Sequence, residues 1–282
     1  MAARILDGKS LAAQIRAAVK REVAALSQRG IRPGLAVILA GEDPASRVYV
    51  RNKVKACEET GVRSQLFELA ANVSEEALVD RVLALNDDDE VHGVLVQLPL
   101  PKHIDARSVQ AAVSPAKDVD VFHALNLGAL LEGHPRLLPC TPAGVMRLID
   151  HAGVALAGAH AVIVGRSNIV GKPLALLLLQ RDATVTICHS KSRDLENLAR
   201  SADILVAAVG RPKLIGAGMV KPGACVIDVG VNRLSDGSLC GDVDFAPVSE
   251  IAGWITPVPG GVGPMTIAML LENCLRAASA TK

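Results

Sequence analysis

Tyr49 and Lys53 stand four residues apart, a spacing that puts a phenol and a primary amine on one face of a helix. An amine walled by apolar groups loses hydration, its pKa falls, and it can then take and return a proton near neutrality. Tyr49 is the only tyrosine in a chain that is 2% aromatic, so its flat amphipathic ring suits stacking on a planar ligand. Spacing alone leaves a solvated lysine beside a tyrosine as the plainer alternative. Gln97 closes the apolar run Val94-Leu95-Val96. An amide at the carboxyl end of a buried strand either caps nearby backbone or lies where open α/β sheets bind ligands. Lys117-Asp118-Val119-Asp120 offers two carboxylates that either end a loop or accept paired N–H donors from a ring bearing an amino group.

Two glycine-rich stretches could hold phosphate or backbone-bound ligands. Gly165 ends the apolar run Ala161 to Val164, and Gly171 and Pro173 open the run Leu174 to Leu179. Strand, turn and helix start in that order aim backbone N–H groups and the positive end of a helix dipole at one point, which suits a dinucleotide pyrophosphate. The spacing departs from G-x-G-x-x-G, with five residues between Gly165 and Gly171, so a turn that merely needs glycine geometry is the competing reading. Pro257 to Thr266 carries three prolines and three glycines in ten residues. Such an irregular backbone with free N–H groups is costly to specify unless it touches a ligand.

These residues need elements to hold them. Leu11, Ile15, Val19, Val23 and Leu26 recur at helical spacing between Ser10 and Gly30. Leu35 to Ala40 reads as a strand, Gly41 to Pro44 as a turn, and Ser46 as the N-cap of a helix reaching Thr60, with Gly61 as its stop. Strand Ser64 to Leu69, helix Ser74 to Leu85 and strand Val91 to Gln97 follow. After a loop-rich passage marked by Pro99, Pro101 and Pro115, Thr141-Pro142 predicts the N-cap and first turn of a helix ending near Gly153. Strands are then expected at Ala161 to Val164, Thr184 to Cys188, Ile204 to Ala208, Cys225 to Val229 and Trp254 to Thr256. The alternation predicts an α/β protein of two lobes, each a parallel sheet with flanking helices, the second a Rossmann-like dinucleotide-binding domain. The boundary falls near residue 139. Residues 1–138 with a C-terminal helix at 264–282 form one lobe, and 139–263 the other.

Composition limits the partners. The 282 residues suffice for two cores. A balance of 30 Lys+Arg against 29 Asp+Glu leaves net charge +1, so no field draws nucleic acid or an anionic membrane, and a small molecule is the expected partner. Apolar stretches are broken well short of the ~18 residues that a membrane span needs. Arg4, Asp7 and Lys9 occupy the start, where a secretory signal would be apolar. Six scattered cysteines without a C-x-x-C pair favour reduced thiols in the cytoplasm over disulfides or zinc, and no metal site is expected.

In order and spacing, six segments match one family: Tyr49 to Lys53, Val96 to Pro101, Lys117 to Asp120, Val164 to Ser167 with Val170-Gly171, Cys188-His189-Ser190, and Pro259 to Thr266. Over essentially its whole length the chain resembles the bifunctional methylenetetrahydrofolate dehydrogenase/methenyltetrahydrofolate cyclohydrolases. The resemblance implies that Lys53 is the catalytic proton handler for hydrolysis of the methenyl bridge, that Gln97 orients it, and that Tyr49 packs on the folate. It implies that Asp120 binds the pterin ring and that Pro259, Gly260 and Gly261 line the folate. Gly165, Arg166, Ser167, Ser190 and backbone around Val231 are expected against the cofactor. A hydride then passes from 5,10-methylenetetrahydrofolate to nicotinamide, and water opens the methenyl product to 10-formyltetrahydrofolate, both in one cleft between the lobes. Family members form homodimers, and the stretch from Asn232 through Asp236-Gly237 to Asp242-Val243-Asp244 looks like a hairpin arm for that pairing.

The cofactor's identity is readable beside the resemblance. After the second strand of the dinucleotide lobe, where Asp or Glu would receive a ribose hydroxyl of NAD, this chain has His189-Ser190-Lys191, and Arg166 stands in the first turn. That is a pocket for a 2'-phosphate, and NADP is expected over NAD. One residue departs from the family pattern: Val121 follows Asp120 where glycine is common. A β-branched residue disfavours positive φ, so the loop around Asp120 is expected to run differently. A short-chain dehydrogenase also uses Tyr-x-x-x-Lys, but after its dinucleotide turn, whereas Tyr49 precedes Gly165. A non-catalytic nucleotide or folate sensor is the other rival, distinguished by lack of turnover. The chain lacks the synthetase domain of longer relatives, so formate ligation is not expected.

Overall fold

The computed structural model describes residues 2–280. Its elements run β1 (Arg4–Ile5), α1 (Gly8–Gln28), β2 (Gly34–Ala40), α2 (Pro44–Thr60), β3 (Arg63–Leu69), α3 (Glu75–Asn86), β4 (Gly93–Val96), α4 (Ala106–Ala112) and α5 (Ala124–Leu131). They continue with α6 (Cys140–Ala152), β5 (His160–Val164), α7 (Gly171–Leu179), β6 (Thr184–Cys188), α8 (Leu195–Arg200), β7 (Ile204–Ala207) and β8 (Cys225–Asp228). The last are β9 (Asn232–Arg233), β10 (Leu239–Cys240), α9 (Phe245–Ser249), β11 (Trp254–Ile255) and α10 (Val262–Ser279). Contacts divide the chain into two units. One, here the dinucleotide unit, comprises the chain up to Ala12 with Thr141–Thr266; the other, the lysine unit, comprises Ala13–Cys140 with the chain from Ile267 on.

In the lysine unit three parallel strands lie in the order β3-β2-β4. Every residue of β2, Gly-Leu-Ala-Val-Ile-Leu-Ala, is buried, as expected of a central parallel strand covered on both faces. Ala36, Ile38, Val94 and Val96 pack with Leu78, Val82 and Leu85 of α3 in one core cluster. The Ser74 hydroxyl caps α3 by accepting from Ala77 N, and Glu75 and Glu76 favour the positive end of its dipole.

The dinucleotide unit holds a six-stranded sheet, order β1-β11-β8-β7-β5-β6, with every pairing parallel. From β5 the chain goes to β6 on one side and then crosses to β7 on the other. The order therefore reverses at β5, and ligands of such sheets bind beyond the carboxyl ends of the strands at that reversal. Val162, Val164, Leu205, Ala207 and Val226 form the core of one face with Ala199 and Val248.

Four expectations need correction. Arg4 pairs with Trp254 and Ile5 with Ile255, so the first residues join the dinucleotide sheet rather than the lobe of residues 1–138. Ser46 does not cap α2: the Asp43 carboxylate does, accepting from Ser46 N at 2.8 Å, with Pro44 in the first turn. Helix α6 begins at Cys140, so Thr141 lies inside it, and its hydroxyl shares a hydrogen bond of 2.9 Å with that of Thr266. Short helices α4 and α5 occupy the passage read as loop, because Asp105 and His123 supply side-chain caps to Arg107 N and Leu125 N.

Candidate active site

In the lysine unit, α2 and the end of β4 bring Lys53 and Gln97 together. Lys53 is only 8% exposed, and its Nζ donates to Gln97 Oε1 at 3.1 Å. The other end of the same amide, Gln97 Nε2, donates to Leu98 O at 2.6 Å. The backbone-capping reading of Gln97 is realised, and the same amide also holds the Lys53 amine. Tyr49 stands one helical turn before Lys53 and is 39% exposed; partial burial holds its phenol above the usual range.

The two carboxylates of the Lys117 to Asp120 segment part company. Asp118 closes the loop, accepting from Phe122 N at 3.1 Å, His123 N at 2.9 Å and Asn126 Nδ2 at 2.8 Å. Lys117 is structural as well, with Nζ donating to Leu85 O and Asp88 O. Asp120 takes no part in these loop bonds, and the Cys140 thiol lies against its carboxyl. Burial raises its carboxyl above the usual carboxylate range, the Lys53 ammonium counteracts, and the Asp118 charge adds to the rise. Lys53, Gln97 and Asp120 therefore form one electrostatic group.

Val121 corrects a further expectation, at this loop. It adopts φ 62 despite its branched Cβ and is fully buried. The loop keeps the left-handed turn that glycine would take freely, because the three donors on Asp118 and the burial of the valine side chain outweigh a strain of about 1–2 kcal/mol.

In the dinucleotide unit the turn after β5 is built without room for side chains. Gly165 has φ 136, and a Cβ there would lie 2.2 Å from Ala208 O, while one at Gly171 would lie 2.1 Å from Gly165 O. This mutual contact explains the five-residue spacing: the start of α7 packs directly on the carbonyl of the first glycine. The Ser167 hydroxyl accepts from Val170 N at 3.1 Å and Gly171 N at 3.3 Å, fixing the loop, while Arg166 and Ser190 are exposed. The turn after β6 is shaped by its own side chains, with His189 N donating to Ser192 Oγ and Lys191 N to His189 Nδ1. Val231, after β8, is 44% exposed. Pro259, Gly260 and Gly261 occupy the loop that enters α10, where Gly261 N donates to Pro257 O and Gly260 O accepts from Lys9 N. Gly8 passes so close that a Cβ there would lie 1.9 Å from Gly261 O.

Two functional candidates escaped the reading of the sequence. Asp228 and Asp242 are buried at 3% and 0% exposure, and Asp242 leaves the hairpin arm to point inward. The signal was present at Asp228, which ends an apolar strand as Gln97 does. No cluster of three or more potential metal ligands occurs among the described residues.

The sequence model for the catalytic domain of tetrahydrofolate dehydrogenase/cyclohydrolase matches residues 6–120, and that for the family's NAD(P)-binding domain matches 139–282. The chain belongs to the tetrahydrofolate dehydrogenase/cyclohydrolase family. It is 60% identical to the Bifunctional protein FolD of Paracidovorax citrulli over 99% of this chain and 98% of that protein. Against the bifunctional FolD crystal structure from Campylobacter jejuni the TM-score is 0.96 at 49% identity, covering 99% of both chains. The FolD structure from Trypanosoma brucei, complexed with NADP cofactor and inhibitor, gives 0.96 at 42% identity over 99% of this chain and 98% of that one. Lys53, Gln97 and Asp120 all lie in the part that matches the family's catalytic domain, and Gly165 and Gly171 in the part that matches its NAD(P)-binding domain.

Proposed function

We propose that the chain oxidises 5,10-methylenetetrahydrofolate with NADP to 5,10-methenyltetrahydrofolate and hydrolyses that product to 10-formyltetrahydrofolate. The observation that carries the reading is a nearly buried lysine held by an amide beside a carboxyl of raised pKa, in a chain of this family. Lys53 Nζ, aimed by Gln97, is the proton handler for the attacking water. Asp120, with its carboxyl freed from loop duty by Asp118, pairs with the amino-bearing pterin ring, and Tyr49 offers its exposed ring as a stacking surface. Pro259, Gly260 and Gly261 supply rigid backbone to the folate.

The residues present fit a dinucleotide: Gly165 and Gly171, where a Cβ would strike Ala208 O and Gly165 O, let β5 and α7 close into a tight turn, and backbone N–H groups at such a strand-to-helix turn donate to a pyrophosphate. Gly165, Arg166, Ser167, Ser190 and Val231 would hold it. Bound NADP supplies the hydride acceptor, so the chain itself needs to position two rings rather than move a proton for that step. Arg166 and Ser190, with His189-Ser190-Lys191 rather than an acidic residue directly after β6, favour a 2'-phosphate.

The proposed assembly is a homodimer in the cytoplasm. In support, among the described residues β9 and β10 pair only with each other in an antiparallel ribbon, which leaves an edge for a second copy. Among the described residues no helix is long and apolar enough to cross a membrane, and the cysteines are free thiols. No nucleic-acid partner is proposed, given net charge +1. Following NADPH formation from 5,10-methylenetetrahydrofolate tests the reading, since a folate or nucleotide sensor would show binding without turnover.

A further inference from the structure

Asp228 and Asp242 are buried carboxylates of the dinucleotide unit that the proposed chemistry leaves idle. They receive only uncharged donors. Asp242 Oδ2 accepts from Val209 N at 2.7 Å and Gly210 N at 2.9 Å, and Oδ1 from Arg211 N at 2.8 Å and Asn232 Nδ2 at 2.9 Å. Asp228 holds the backbone of Asp242 in turn, accepting from Asp242 N at 2.9 Å and Val243 N at 2.8 Å, and also from Gly230 N at 2.9 Å. The packing leaves no slack: a Cβ on Gly230 would lie 2.2 Å from Asp242 Oδ1, and one on Gly241 would lie 1.8 Å from Asp228 Oδ2.

The bonds collect two loops that follow the carboxyl ends of β7 and β8. These strands lie across β5 from β6, hence on the side of the sheet reversal away from the Ser190 turn. A dinucleotide spans such a reversal. With the 2'-phosphate end on the β6 side, the nicotinamide end falls against the loops after β7 and β8. Val231 is pinned from both directions, since Gly230 is tied to Asp228 and Asn232 to Asp242. A surface carboxylate would do none of this; four donors on one buried carboxylate make a rigid anchor.

We propose that Asp242 is a positioning residue for hydride transfer, its carboxylate fixing the backbone of Val209 to Arg211 and of Val231 as the wall for the nicotinamide half of NADP. The inference rests on the dehydrogenase reading, and wild-type NADPH formation checks that reading separately. Asparagine at 242 would turn an N–H2 group toward backbone donors, so at least two of the four bonds cannot form.

The test uses the full-length protein with four readouts: NADP affinity by calorimetry, affinity for 2',5'-ADP, dehydrogenase kcat and KM, and hydrolysis of supplied 5,10-methenyltetrahydrofolate. For Asp242→Asn, NADP affinity falls by about 10–100-fold, as for loss of charge-assisted hydrogen bonds, and dehydrogenase kcat falls with it. Affinity for 2',5'-ADP, which has no nicotinamide half, and methenyl hydrolysis stay within about twofold of wild type. Asn232→Ala keeps the carboxylate and removes one donor, and should reproduce the pattern at about 3–10-fold. It decides the matter if Asp242→Asn does not fold. Unchanged NADP affinity and dehydrogenase kcat in a folded variant overturn the proposal. An equal loss of NADP and 2',5'-ADP binding overturns it too, because the anchor would then act on the whole unit rather than on one half of the cofactor.

Discussion

Exchanging Val121 for glycine measures the strain stored in the loop that presents Asp120. Val121 sits at φ 62 and is fully buried, so two effects oppose. Glycine releases a left-handed strain of about 1–2 kcal/mol, but forfeits roughly 1.5–3 kcal/mol of side-chain burial. The useful comparison is with Val121→Ala, which gives up most of the same burial and keeps the strained backbone. At an ordinary buried position glycine is the poorer of the two by about 0.5–1 kcal/mol of chain entropy and about 0.8 kcal/mol for the missing methyl. Those losses total roughly 1.5 kcal/mol and are matched here by the strain released, so the two variants should agree within about 0.5 kcal/mol. Urea unfolding with equal m-values reads the difference directly. A glycine variant less stable than the alanine variant by about 1.5 kcal/mol would refute the strain argument, since that is the value for an unstrained site.

Other consequences can be checked alongside. Gly171→Ala forces a Cβ against Gly165 O; NADP binding measured by calorimetry should fall by at least about 10-fold while methenyl hydrolysis persists, and unaltered NADP binding would contradict the close packing. Arg166→Ala should weaken NADP far more than NAD in paired titrations, and equal losses would remove the 2'-phosphate assignment. Burial raises the Asp228 carboxyl to about 6 from 3.8, so the native state holds its proton more tightly than the unfolded chain. Its contribution is complete below pH ~3.8 and is lost as pH rises through ~6, about 3 kcal/mol in all. Unfolding free energy followed over that window should therefore decline with pH more steeply in the wild type than in Asp228→Asn; parallel curves would rule the shift out.

Much of the fold was legible because its central strands β2, β4 and β7 are uniformly apolar and buried and its helices carry ordinary stops. Gly61 ends α2 at φ 83 as glycine at a helix end should. What failed was local competition among short polar side chains. Ser46 reads as the cap from its type and place, but the Asp43 carboxylate three residues earlier takes Ser46 N and caps the helix instead. Two-residue β1 has no periodicity to read, and its strand character comes wholly from β11 beside it. At the site, the spacing of Tyr49 and Lys53 gave a shared helix face, but only the fold could show that Gln97, 44 residues on, meets the amine. Nothing in Lys117 to Asp120 tells which carboxylate faces its own loop. The answer came from the donors on Phe122, His123 and Asn126. Val121 shows the limit of propensity: a residue poorly suited to positive φ takes it when neighbouring bonds and burial demand it.

The central claim is that Lys53, aimed by Gln97, moves the proton in methenyl hydrolysis while a separate unit handles the dinucleotide. Lys53→Met keeps an unbranched apolar side chain one atom shorter than lysine and removes the amine. Hydrolysis of supplied 5,10-methenyltetrahydrofolate by this variant, measured beside its NADP affinity, is the most direct test. The account predicts hydrolysis lost by at least about 100-fold, the scale of a positioned general base, with NADP binding unchanged. Hydrolysis near the wild-type rate in a folded variant would contradict it.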